Sequence, residues 1–391
     1  MIIEYLFSSP GGDISLGPED LARPFLITPS EPHPFLTLGD YFEAIRESLL
    51  KDQGKPLVWV LKERLNRGIG LDSIKKVLIR SEKHGALYHL ASVEVLVDDK
   101  QIKLAVSTAV SEKGKEWLKN EYETLKFLNS SLGLPYLQNV YFKEGVECKA
   151  GNRKRETVDM FISEWFEGYH EWHLSIDKED NSQKICIWDM NRDHRFASRK
   201  EGLEIYRQAS RILTQYYDTQ GFRQIYPWHH AAGDFVVREV DGAIDLKLTT
   251  AREYRSVITP SPGDSINPMI ALIYFFLSLT VKMRLDKLDG VGETAWAGTY
   301  CMEGTIQGFM EAIRVMEKTG RYGLGSIEEL VSLLKSFDRK DLMNLIISML
   351  GVYDQEAPGD FPVIQANLET HVEEVHQIIQ NLSLGALQGG C

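Results

Sequence analysis

The chain has 391 residues, 43% hydrophobic and 26% charged, a balance that excludes a disordered tail, a collagen-like fibre and a small disulfide scaffold. Its 56 acidic and 44 basic residues leave a net charge of -12 with no cluster of basic side chains, which argues against nucleic acid as a main partner. The four cysteines, Cys148, Cys186, Cys301 and Cys391, form no CxxC pair, so they suggest a reducing compartment and lack the spacing of a structural zinc site.

The first residues, MIIEYLFSSPGGD, contain no basic stretch ahead of an apolar run, so they do not read as a signal peptide. Residues 1–36 carry closely spaced Pro and Gly and predict an extended, turn-rich arm. Thr37 to Asp52 then places Tyr41, Ile45, Leu49 and Leu50 on one helical face, with Thr37 or Asp40 near the cap, and Pro56 to Asn66 predicts a second helix. From Ile74 the period changes to two. The runs IKKVLIR, YHLASVEVLV and QIKLAVSTAV predict a three-stranded meander. Glu112 to Ser130 predicts a strong helix, and Val140 to Gly145 and Asp159 to Glu164 predict two more strands.

Residues 175–200 are polar and irregular and read as an insertion or loop. A helix is expected from about Glu201 to Asp218, followed by a hairpin of DFVV and AIDLKL turning at Asp241-Gly242. Beyond Pro268 the period is helical, with breaks near Gly290, Gly320 to Gly325 and Pro358. The most apolar run, PMIALIYFFLSLTV, has fourteen residues. As a helix it would span only about 21 Å against a hydrocarbon core of about 30 Å, which predicts a buried core helix and no membrane partner. A soluble, cytoplasmic protein is expected.

This order of elements resembles the protein-kinase-like fold, in particular its aminoglycoside- and choline-phosphotransferase branch, over roughly Ile74 to Gly351. FISEWFEG resembles the strand and hinge joining the two lobes, and NEYETLKFLN the helix whose Glu pairs with a strand Lys. GDFVV, with Asp245 eleven positions after Asp234, resembles the pair of segments whose Asn and Asp hold magnesium on the nucleotide phosphates. The resemblance implies an α+β, two-lobed fold. Residues 1–73 would be an N-terminal extension, 74–168 a β-rich N-lobe with hinge, and 169–391 a helical C-lobe with a catalytic-loop-like hairpin. It further implies ATP and Mg as cofactors in a cleft between the lobes, with a small hydroxyl compound as phosphoryl acceptor. Glu164 and Phe166 would lie at the adenine, Glu121 on the pairing helix, and Asp234 and Asp245 on the metal.

Independently of any family, two carboxylates at the ends of a short hairpin offer hard oxygen ligands for magnesium if they point the same way; otherwise Asp234 caps a turn and Asp245 is solvated. Three departures from the family pattern stand out. The catalytic-loop Asp is replaced by His229, followed by His230, either a base suited to neutral pH or a structural histidine. The third-strand Lys is replaced by Ser107, leaving Lys103 on the same face and Lys83 in the preceding turn as substitute cations. The phosphate-covering turn has a single glycine, Gly85. Two functions are therefore expected to compete: an ATP-dependent phosphotransferase, or a pseudokinase that binds nucleotide or serves as a scaffold. His170 and His173 have metal-like spacing, with packing as the stronger expectation. No oligomeric state is indicated.

Overall fold

The computed structural model describes residues 1–9, 11–28, 30–85, 88–150, 154–189, 194–228, 233–258 and 266–383, with the backbone alone at 84, 150, 154 and 352–356. It is an α+β protein that divides into two compact units, residues 1–133 with 138–167, and residues 134–137 with 168–391.

The first unit runs β1 (Ile2–Phe7), β2 (Ile14–Ser15), α1 (Pro18–Leu21), β3 (Pro24–Thr28), β4 (Glu31–Thr37), α2 (Leu38–Leu65), β5 (Ile74–His84), β6 (His89–Val97), β7 (Lys100–Ala109), α3 (Glu112–Leu132), β8 (Val140–Ala150) and β9 (Lys154–Glu164). Seven of its strands form one sheet in the order β2-β1-β5-β6-β7-β9-β8. Side chains alternate across that sheet. One face carries Val77, Ile79, Val93, Val95, Leu104, Val106, Met160 and Ile162, and against it α2 lays Phe42, Ile45, Leu49, Leu57, Val60 and Leu61. The other face carries Arg80, Ser92, Lys103, Ser107, Phe161 and Ser163, and α3 meets it where the Tyr122 and Phe161 rings lie 6.0 Å apart.

One expectation about residues 1–73 is corrected. They are no separate extension: β1 pairs in parallel with β5 from Ile2 opposite Lys76 to Phe7 opposite Ser81, and α2 supplies one side of the core. The two expected helices are present within α2, separated by four non-helical residues, Lys51 to Gly54, of which Asp52, Gln53 and Gly54 have positive φ. The start of α2 is held by reciprocal bonds between Thr37 and Asp40, in the manner of a capping box. Helix α3 begins at Ser111, whose Oγ accepts from the Gly114 N–H at 3.1 Å, and ends at Gly133 in the left-handed conformation.

The second unit contains β10 (His170–Ile176), β11 (Gln183–Trp188), β12 (Arg195–Phe196), α4 (Arg199–Gln215), β13 (Arg223–Tyr226), β14 (Phe235–Val240), β15 (Ala243–Leu248), β16 (Glu253–Ser256), α5 (Pro268–Lys282), β17 (Leu285–Lys287), β18 (Thr294–Trp296), α6 (Thr299–Lys318), α7 (Ile327–Ser336), α8 (Arg339–Glu356) and α9 (Phe361–Gln380). Its five-stranded sheet has the order β12-β11-β10-β14-β15. The outer edge of β15 is covered by Gln208 of α4, which donates to the Ile244 carbonyl at 2.6 Å and accepts from the Leu246 N–H at 3.0 Å. Those bonds satisfy backbone groups that an open edge would leave unpaired.

Here too the sequence expectation needs correction. Gln183 to Trp188, expected within a polar, irregular insertion or loop, are instead a strand, because β11 pairs with β10 from Glu171 opposite Trp188 to Ile176 opposite Gln183. The region after Pro268 is not wholly helical, since β17 and β18 form a small hairpin. Helices α4 and α6 cross at backbone contact: a Cβ at Gly308 would stand 1.9 Å from the Arg207 carbonyl oxygen.

Candidate functional site

The hairpin of β14 and β15 turns at Asp241 and Gly242, with φ of 52° and 78°. That pair of positive φ values is the backbone of a two-residue hairpin turn, and it pairs Val240 with Ala243. The register then follows by counting: Asp245 falls opposite Arg238, and the Thr249 N–H donates to the Asp234 carbonyl at 2.7 Å. Asp245 is four residues along the strand from the level of Asp234, about 13 Å.

The two carboxylates therefore do not fit a shared magnesium, whose ligands stand about 2.1 Å from the ion. Each is engaged elsewhere. Asp234, 1% exposed, accepts from Arg252 on both oxygens, Nη1 to Oδ2 at 2.8 Å and Nη2 to Oδ1 at 2.7 Å. Arg252 also donates to the Pro227 carbonyl at 3.2 Å. Asp245 accepts from the Tyr169 hydroxyl and, at 3.3 Å, from Arg238. The planar fork of a guanidinium on a carboxylate is a directional, charge-assisted contact that a lysine would not reproduce. Arg252 is the residue that sequence reasoning passed over. Its position three residues past Thr249 was readable, but its partner was not.

In the first unit, Lys103 does share a sheet face with Ser107. Its ammonium binds Glu82 at 2.9 Å and sits 3.9 Å above the Trp165 ring. Glu82 also accepts from the Ser92 hydroxyl, and Arg80 pairs with Glu94 at 2.6 Å on the same face. Glu121, 2% exposed on α3, accepts from the Tyr88 hydroxyl. Glu82, placed by the bulge between Ser81 and Lys83, holds Lys103 on its own part of the sheet. Lys83 is exposed on β5, and the Gly85 N–H closes the following turn by donating to the Tyr88 carbonyl at 3.1 Å. Ser107 is buried at 6% exposure. Glu164 accepts from Arg64 at 2.6 Å, and Phe166 is partly buried just after β9.

His229 and His230 lie outside the described residues. His170 and His173 do not converge, because a spacing of three on a strand sends side chains to opposite faces. His170 faces Asp189 at 3.6 Å, and His173 faces Asp286 at 3.5 Å on one nitrogen and Glu171 at 3.8 Å on the other. Burial alone would disfavour the His173 imidazolium, but the two carboxylates outweigh it and raise its pKa to about 8. Among the described residues, no group of three or more His, Cys, Asp or Glu side chains is placed to hold a metal ion.

No helix among the described residues is long and apolar enough to cross a membrane. Comparison with protein-family models returned no matching family. No curated protein matches the chain.

Proposed function

We propose that the chain is a divergent kinase-like module that acts by binding and has given up phosphoryl transfer. The kinase-like part of this reading is supported by the order within the first unit: three consecutive antiparallel strands, a helix on one face, then two strands added beyond β7. The loss of transfer is carried by one observation, the bidentate Arg252 on buried Asp234. A phosphotransferase of this type needs a metal to neutralise charge on the nucleotide phosphates. Here the carboxylate expected to hold it is already neutralised by a side chain of the same unit, and the second carboxylate is about 13 Å along the hairpin.

The test is a thermal-shift titration with ATP alone, MgCl2 alone and both together, with ATP turnover measured in parallel. The expected result is no turnover and a melting temperature that magnesium leaves unchanged, with or without ATP. Magnesium-dependent turnover that disappears in Asp234→Asn would overturn the proposal and restore the phosphotransferase reading.

A further inference from the structure

We propose that the second unit binds a small aromatic carboxylate in the cavity bounded by β11, β12 and the first turns of α4 and α6. The cavity has a volume of about 660 Å³, within the usual range of small-molecule sites. It exists because β12 is short. That strand pairs with β11 only at Cys186 and Ile187, and the Ala197 N–H then donates to the Ile185 carbonyl at 2.8 Å before the chain turns at Ser198 into α4. Gln183 and Lys184 run on beyond that partner as an open ledge of the cavity. Another wall is Tyr300, whose ring lies on the bare backbone of Gly202: a Cβ there would stand 2.9 Å from Tyr300 Cε2 and 3.4 Å from Ile185 Cδ1.

The lining sets the chemistry of the occupant. Ile185, Ala197 and the rings of Phe196 and Tyr300 offer apolar surface to a flat hydrocarbon body. The Tyr300 hydroxyl has no hydrogen-bond partner among the described residues, and burial pushes its pKa up, so it keeps its proton and is able to donate.

The charged lining residues are Lys184, Arg199 and Glu201. Lys184 is held by Asp177 and Asp180, each at 2.7 Å. Glu201 is held by Arg195 at 2.9 Å and by the Ser198 N–H at 2.7 Å. Arg199 differs. Among the described residues its ion pair is with Glu303 at 3.7 Å, outside hydrogen-bond range, and 73% of its side chain is exposed. A guanidinium with donors to spare takes a planar carboxylate on two parallel bonds. One available positive charge matches a monoanion better than a dianionic phosphate. Aromatic walls, a single cation and a hydroxyl donor together complement a ring that carries one carboxylate. This inference is independent of whether the chain transfers phosphate.

The experiment titrates the full chain calorimetrically with benzoate, its neutral analogue benzamide, acetate and phenyl phosphate. Benzoate is expected to bind with a Kd of about 1 mM or tighter, and benzamide and acetate at least about tenfold more weakly. Arg199→Gln should bring benzoate down to the level of benzamide, and Phe196→Ala should weaken both. Arg199 and Phe196 are exposed, so both variants are expected to melt at the wild-type temperature, which is measured alongside. Benzoate binding unchanged in both variants, or absent at about 10 mM, would overturn the site. Acetate binding as tightly as benzoate would overturn the aromatic ligand, and phenyl phosphate binding more tightly than benzoate would overturn the carboxylate.

Discussion

Asp234 and Asp245 sit on one hairpin yet differ in what their removal should cost. Asp234 is almost fully buried and its charge is balanced by Arg252. Taking away one partner of a buried pair leaves an uncompensated charge, so Arg252→Ala is expected to destabilise the chain by about 3–5 kcal/mol in urea unfolding. Asp245 is about two-fifths exposed, and its pairing with Arg238 is a solvent-screened contact. Asp245→Ala should therefore cost less than about 1 kcal/mol. Equal losses in the two variants would remove the distinction drawn between the carboxylates. The placement of Asp245 was accessible before any coordinates, since a two-residue turn at Asp241-Gly242 sets every pair along the hairpin. A spacing of eleven residues suggested proximity only because the pairing was not counted out. The partner of Asp234 was a different matter: nothing in a linear pattern says which cation a buried carboxylate will meet.

Two elements depend on glycine for geometric reasons. In α2 the break ends at Gly54, with φ of 75°. Left-handed backbone costs an L-residue about 1–2 kcal/mol, and Gly54→Ala should lose at least that much by chemical denaturation. At the crossing of α4 and α6, Gly304 and Gly308 let the backbones touch, a Cβ at Gly304 falling 2.4 Å from the Leu203 carbonyl oxygen. Gly308→Ala must push the helices apart, an overpacking that typically costs about 1–3 kcal/mol. A melting temperature equal to wild type would show that the crossing yields without cost. Strongly periodic elements such as α3 and β5 to β7 were legible in the sequence because their apolar faces repeat regularly. Strand β11 was not, because six residues among polar neighbours carry little periodicity and gain their burial from β10.

At the scale of the whole chain, two buried histidines of the second unit act on stability in opposite pH ranges. His173, held near 8 by Asp286 and Glu171, contributes fully below its ordinary 6.5 and loses its contribution as pH rises through 8, a difference of roughly 2 kcal/mol. His371, fully buried and in contact with Thr280 at 3.3 Å, is pushed down to about 3 by burial and, secondarily, by Arg284. It stays neutral in the fold while the unfolded chain takes up its proton, so stability falls below pH 6.5 by up to about 1.4 kcal/mol per pH unit. The two contributions are read as differences in urea midpoint between wild type and variant across pH 4 to 9, because Lys282, lowered to about 7 by burial, itself adds stability as pH rises above 7. The advantage of wild type over His173→Gln should shrink between about pH 6.5 and 8, and wild type should lose ground to His371→Gln below about pH 6.5; differences independent of pH would contradict the assignment. The sequence by itself determined the mixed α+β class, the three-strand, helix, two-strand order after Ile74, the hairpin turn at Asp241-Gly242 and the helical character of most of the last third, because each is written in local period and turn chemistry. Only the tertiary structure decided that residues 1–73 belong to the first unit's core, that Glu82 takes Lys103, and that Arg252 takes Asp234. Those outcomes join residues distant in sequence or separated by a bend of the chain, and burial and charge neutralisation act on distance in space, which no local pattern encodes.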